Sequence, residues 1–191
     1  MLFTTIASLL LAAGTAVAQT PSGFTPAVTS HLDVYYGSTY ITPGLMMKKS
    51  AVAKQPVIGV TNGNLTGKYL LAMIDIDVKG SGSTGRTTVL HALLQDFTPS
   101  SQKQNGTTVL TSTATGPSSY FGPAPPAEQP LHPHNYIFLL HAQPDGFAVP
   151  SSQRSVVQSR LGIDWNKFMA DAKLSAPLYA NYLNVQSGDN T

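Results

Sequence analysis

No cysteine occurs anywhere in the 191 residues. Its absence excludes disulfide bracing, thiol nucleophiles and thiolate metal sites. A chain of this length can bury enough apolar surface to fold without the bracing that small exported domains need. Charge is scarce as well: 11 Lys and Arg against 9 Asp and Glu give a net charge of +2 and a charged fraction of 10%. No basic run exceeds Lys48-Lys49, so the electrostatic footprint of a nucleic-acid-binding protein is lacking. Neither a G-x-S-x-G elbow nor an H-E-x-x-H helix is present, which removes two hydrolase signatures. No apolar run reaches the roughly 20 residues that span a bilayer. The final five residues are polar, unlike a hydrophobic tail or lipid-anchor signal.

The chain opens with a leader. Residues 2–13 are almost wholly apolar, and Ala16-Val17-Ala18 is the small-x-small pattern a signal peptidase reads. Residues 1–18 are therefore expected to be a signal peptide. Residues 19–191, about 170 in number, are expected to form one secreted, extracellular domain with no integral membrane association. Two sequons, at Asn64 and Asn105, fall in turn-like polar stretches where glycosylation is expected.

Short apolar runs separated by Gly, Asn, Ser and Pro predict strands at 57–60, 69–75 (YLLAMID), 89–97 (VLHALLQDF), 107–111, 136–142 (YIFLLHA) and 180–185. Helices are predicted only late in the chain. One covers 151–161 after Pro150; a better one starts after Asp164 as N-cap, with Trp165, Phe168, Met169 and Ala172 on one face. The pattern predicts a mainly β fold, an antiparallel sandwich with a few short helices. Residues 79–87, 98–106 and 113–133 are expected to be long irregular stretches, the kind that carry function.

Several motifs carry chemistry. Residues 80–85 (GSGSTG) match the dinucleotide fingerprint, but the residues after Gly85 are β-prone rather than helical, so no helix N-terminus would face a pyrophosphate. Asp75 and Asp77, two apart on a strand, share one face and could meet in one cleft; ordinary solvation of a strand end is the plainer alternative. His91 lies inside an apolar run, where a neutral imidazole needs hydrogen-bond partners. His132 and His134 have a spacing seen in zinc sites, although Pro133 breaks regular pairing and no third ligand is fixed locally, so no metal is expected. His31 and His141 have no supporting context.

Taken in order, these segments resemble the phosphatidylethanolamine-binding protein family. Met73-Ile74-Asp75-Ile76-Asp77-Val78 stands where that family has a strand ending in D-P-D-x-P. Leu90-His91-Ala92-Leu93-Leu94 matches its strand with a buried histidine. Tyr120-Phe121-Gly122-Pro123-Ala124-Pro125-Pro126 matches its Y-x-G-P-x-P-P loop. Pro133-His134-Asn135-Tyr136-Ile137-Phe138-Leu139-Leu140 matches its P-H-R-Y-V-F-L-L strand. The likeness runs from about residue 24 to 186 and is greatest to secreted members, fungal ones among them.

The resemblance implies a non-enzymatic binding protein with a small pocket for an anionic group, a phosphate or phospholipid head group. Carried over residue by residue, the ligand-binding set is Asp75, His91, Tyr120, Gly122, Pro125, His134 and Tyr136, with no cofactor. His132 stands beside His134 as a rival for the pocket histidine. The family's prolines after each aspartate are absent, and Asn135 replaces its arginine. Two alternatives remain: a serine-carboxypeptidase inhibitor acting on a protease partner through surface loops and its N-terminal segment, and a hydrolase using His91 with Asp75.

Overall fold

The computed structural model describes residues 18–61, 63–80 and 85–188. Residues 1–17 of the expected signal peptide and residues 81–84 of the glycine-rich stretch lie outside them. So do residues 189–191.

Among the described residues, ten strands and two short α-helices occur in order: β1 (Asp33–Tyr36), β2 (Thr39–Tyr40), β3 (Leu45–Met47), β4 (Val57–Val60), β5 (Tyr69–Lys79), β6 (Arg86–Gln104), β7 (Thr107–Thr111), β8 (Pro117–Ser118), β9 (His134–Ala142), α1 (Arg154–Ser159), α2 (Trp165–Asp171) and β10 (Tyr179–Val185). The sheet order is β2-β1-β4-β7-β6-β5-β9-β10-β3, with β8 attached to β6. Every pairing is antiparallel except β10 with β3. This is the expected mainly β sandwich.

The long strand β6 makes the sheet fold over on itself. Its first half pairs with β5 and its second half with β7, and Asp96 between them takes a φ of 60°. One apolar core fills the space between the two halves, where Val34, Ile58 and Leu110 meet Leu71, Met73 and Phe138. A second core lies on the other face of β5 and β9, where Leu70, Ala72 and Leu139 meet Val157, Trp165 and Phe168 from the helices. Both faces of β5 and β9 are thus covered. That is why their sequences read as unbroken apolar runs rather than alternation.

The helices form where their signals lie. Asp164 caps α2, its Oδ1 accepting from Lys167 N at 3.0 Å, and Trp165 and Phe168 are buried beneath it. One expectation is corrected. Residues 98–106 are not an irregular loop: β6 continues to Gln104 and turns through Asn105-Gly106 straight into β7. The segment is mostly Ser, Gln, Lys and Thr at the surface, so it carries no apolar periodicity. Backbone pairing with β7, not side-chain burial, makes it a strand. Residues 113–133 remain irregular apart from β8. After Gly85 the chain enters β6 rather than a helix, so the dinucleotide fingerprint lacks its required context.

His141 is fully buried between the sheet and α2. Its Nδ1 donates to Ser175 O at 2.9 Å, and its Nε2 accepts from Trp165 Nε1 at 3.3 Å. Burial pulls this imidazole down from 6.5 to about 4. The unfolded chain therefore takes up the proton first, so stability is complete above pH 6.5 and falls as pH drops toward 4, by roughly 3 kcal/mol from this group. His141→Gln should be less stable at pH 7 yet lose less on acidification than the wild type. Thermal melts of both proteins at pH 7 and pH 4.5 check this; parallel losses would refute it.

Candidate functional site

A cavity of about 120 Å³ opens where β5, β6 and β9 meet the loop after β8; Asp75, His91, Phe121, Pro125, His134 and Tyr136 help to line it. Asp75 and Tyr136 are register partners on β5 and β9, so their side chains emerge together on the face turned toward the first core. His91 arrives there by a different device. Met73 pairs with Ala92 and Ile74 with Leu90, so His91 is the extra residue of a β-bulge, the kind of irregularity that re-aims one side chain. A second irregularity comes after Asp75, where Asp77 N donates back to Asp75 Oδ1 at 2.8 Å. The strand kinks there without the prolines that the family pattern has at this point.

His134 is the electrostatic centre. Only 1% of its side chain is exposed, yet its Nδ1 donates to Asp75 Oδ2 at 2.8 Å and its Nε2 to Glu128 Oε1 at 3.0 Å. Carboxylates accept only, so the ring carries both protons. Burial works against that charge, but the hydrogen bonds and fields of Asp75 and Glu128 outweigh it and raise the pKa. Glu128 in turn accepts from Arg86 Nη1 at 2.8 Å. The guanidinium, then His134, hold the Glu128 carboxyl down at about 2. Arg86 Nη1 also donates to Asp77 O at 2.8 Å.

His91 behaves in the opposite way. Burial lowers its pKa, its Nδ1 donates to Phe121 O at 2.6 Å, and Nε2 is left as the acceptor of a neutral ring. Phe121 stacks on it at a centroid distance of 5.1 Å, and Tyr136 meets it edge-on at 5.0 Å. The Tyr136 phenol is kept protonated by burial and by Asp75.

The structure brings Asp75, His91, Pro125, His134 and Tyr136 together around the cavity. Tyr120 and Gly122 stand behind it. Tyr36 OH donates to Tyr120 OH at 2.7 Å, and Tyr120 OH donates to Val52 O at 2.7 Å. A Cβ on Gly122 would lie 2.9 Å from Ala53 Cα, so glycine lets the loop close on the turn at Lys49–Val52. His132 lies outside the cavity against Asp77 Oδ1 at 3.2 Å. Asn135 donates to Asp77 Oδ2 from both its backbone N and Nδ2 at 2.8 Å. Asp75 bonds His134 rather than His91. Both sequon asparagines, Asn64 and Asn105, are exposed. Sequence reasoning missed Arg86, Phe121 and Glu128. Arg86 is the β6 residue facing Lys79, and Glu128 is the one acidic residue in the proline-rich stretch 113–133.

Comparisons with known proteins place the chain in a family. The family model "Phosphatidylethanolamine-binding protein" matches residues 37–183. The chain belongs to the phosphatidylethanolamine-binding protein family. Phomoidride biosynthesis cluster protein N of Talaromyces stipitatus is 28% identical over 95% of this chain and 97% of that protein. TERMINAL FLOWER 1 of Arabidopsis thaliana is 26% identical over 85% and 82%. Among solved structures, a carboxypeptidase Y inhibitor complexed with its cognate proteinase superposes with a TM-score of 0.63 at 18% identity, covering 83% of this chain and 84% of that one. The phosphatidylethanolamine-binding protein of Plasmodium vivax gives 0.53 at 15% identity, covering 81% and 83%.

The opposed protonation states of the two histidines are directly measurable. At pH 6.5, ¹⁵N spectra should find His134 mainly protonated on both ring nitrogens and His91 mainly on Nδ1 alone. Because its folded pKa is raised, His134 contributes stability that is complete below pH 6.5 and is lost as pH rises through the folded value. Glu128→Gln should lower the pH at which the ring deprotonates. A neutral His134 at pH 6 would contradict this assignment.

Proposed function

We propose that this member of the family is a non-enzymatic binding protein whose small cavity takes an anionic group, a phosphate or the head group of a phospholipid. The observation that carries the reading is the buried His134 on the cavity wall, with a carboxylate at each of its ring nitrogens. A protein keeps a charge away from water only where partners hold it, and the field of such a charge draws an oxyanion toward the cavity. Against catalysis, the described residues lining the cavity include no Ser, Thr or Cys side chain, and His91 turns its Nδ1 to a carbonyl rather than to Asp75. Secretion belongs to the same reading. It rests on the leader pattern and would give a mature chain beginning at Gln19, with glycans at Asn64 and Asn105. Among the described residues no helix is long and apolar enough to cross a membrane.

Calorimetry with inorganic phosphate should give a binding isotherm that His134→Ala weakens at least tenfold and His91→Ala weakens to a smaller degree. Unchanged affinity in His134→Ala would remove the reading.

A second reading, a protease inhibitor, is favoured by the likeness to the carboxypeptidase Y inhibitor. The N-terminal segment is held in place here: Gln19 N donates to Val28 O at 2.7 Å and Asn166 Nδ2 to Thr25 O at 3.3 Å. Deleting residues 19–25 should abolish inhibition of a serine carboxypeptidase while leaving phosphate binding intact. Inhibition that survives the deletion would exclude this mode of action.

A further inference from the structure

Arg86 Nη1 and His134 Nε2 donate to the same atom, Oε1 of Glu128, at 2.8 and 3.0 Å. The two donors belong to β6 and β9, the strands on either side of β5. They therefore converge across one strand from rigid positions. The acceptor does not share that footing, because Glu128 lies in the irregular stretch between β8 and β9. Scaffolded donors facing a loop-borne acceptor are the arrangement expected where the acceptor is exchangeable.

Charge points the same way. The negative groups about this point are Asp75, Asp77 and Glu128; the positive ones are His134 and Arg86. Asp77 is hydrogen-bonded by Asn135 and His132, and its carboxylate and that of Asp75 balance the two cations. With Glu128 withdrawn, the imidazolium and the guanidinium keep their charge but lose the one acceptor they share. Arg86 supplies a cation from the strand beside β5. Arg86 is also the more open of the pair, with 32% of its side chain exposed against 1% for His134, which gives an anion a way in.

We propose that Glu128 occupies the position of the ligand's anionic oxygen, so that binding is an exchange in which a phosphate oxygen replaces Oε1 between Arg86 and His134 as the segment carrying Glu128 moves aside. The proposal rests on the anion reading of the cavity and gives it a specificity. An incoming monocarboxylate carries the same charge as Glu128 and competes with a tethered group at an effective concentration on the order of millimolar or more. A phosphate dianion brings additional charge to two cations and displaces it. The site therefore selects phosphate or phosphate monoesters over simple carboxylates.

The test is calorimetry at pH 7 with inorganic phosphate and with acetate, on wild type, Glu128→Gln and Glu128→Gln/Arg86→Gln. Wild type should bind phosphate weakly and acetate not at all. Glu128→Gln should bind phosphate at least tenfold more tightly and should also accept acetate; adding Arg86→Gln should cancel the gain. Equal phosphate affinity in folded wild type and Glu128→Gln overturns the exchange while leaving the cavity reading standing. No heat from phosphate with any of the three folded proteins overturns both. Should Glu128→Gln fail to fold, ¹⁵N spectra of the wild type decide: saturating phosphate should shift the His134 Nε2–H resonance, and an unmoved resonance overturns the exchange. Phosphatidylcholine vesicles with and without phosphatidic acid identify the source. Co-sedimentation that requires phosphatidic acid assigns a lipid head group, and phosphate binding without co-sedimentation assigns a soluble ligand.

Discussion

The pocket depends on one buried charge. An imidazolium that is 1% exposed survives only because a carboxylate meets each of its nitrogens. Asp75 is fixed by β5 and by the amide of Asp77, so that side of His134 is part of the sheet. Glu128 is fixed by Arg86 and belongs to the loop. One ring thus joins the sheet to the irregular stretch that carries Glu128. The Tyr36–Tyr120–Val52 hydrogen bonds and the close approach of Gly122 to Ala53 hold the near end of the same loop by neutral contacts. The near end is therefore held by neutral contacts and the end carrying Glu128 by charged ones.

The site stands where it does because β5, β6 and β9 are covered on both faces. Their inner residues fill two cores, and the pocket forms at the end of those strands, where apolar side chains give way to Asp75, His91 and His134. Little apolar packing is lost by placing polar chemistry there. The family assignment and the mainly β architecture leave the occupant of the cavity to the identity of a few side chains at that end, as expected where function is grafted onto a common scaffold.

Much of this was legible in the sequence. The apolar runs at 69–75 and 136–142 announced the central strands because burial on both faces leaves a continuous signal. Asp164 announced α2 because capping is local chemistry. Asp75, His91, Pro125, His134 and Tyr136 could be gathered from ordered motifs. Residues 98–104 could not, since their strand rests on backbone pairing that polar side chains do not report. Glu128 and Arg86 were also hidden. They lie 42 residues apart and neither sits in a local motif, so only the crossing of β5 by its two neighbours and the return of the loop bring them together. The choice between His132 and His134 likewise turned on strand register: β9 begins at His134 and faces it inward, whereas His132 falls before the first pair.

The bulge at His91 has a meaning for how such a pocket comes to exist. Leu90 faces the helix-side core opposite Ile74, and Ala92 faces the inter-sheet core opposite Met73. Without His91 those two residues would be consecutive and would still alternate correctly, and the ladder would run straight from Met73 to Ile74. The histidine is thus a one-residue insertion that an ordinary hairpin of this fold can gain or lose without shifting register on either side. The side chain at this one position is thus set apart from both cores, which close on either side of it.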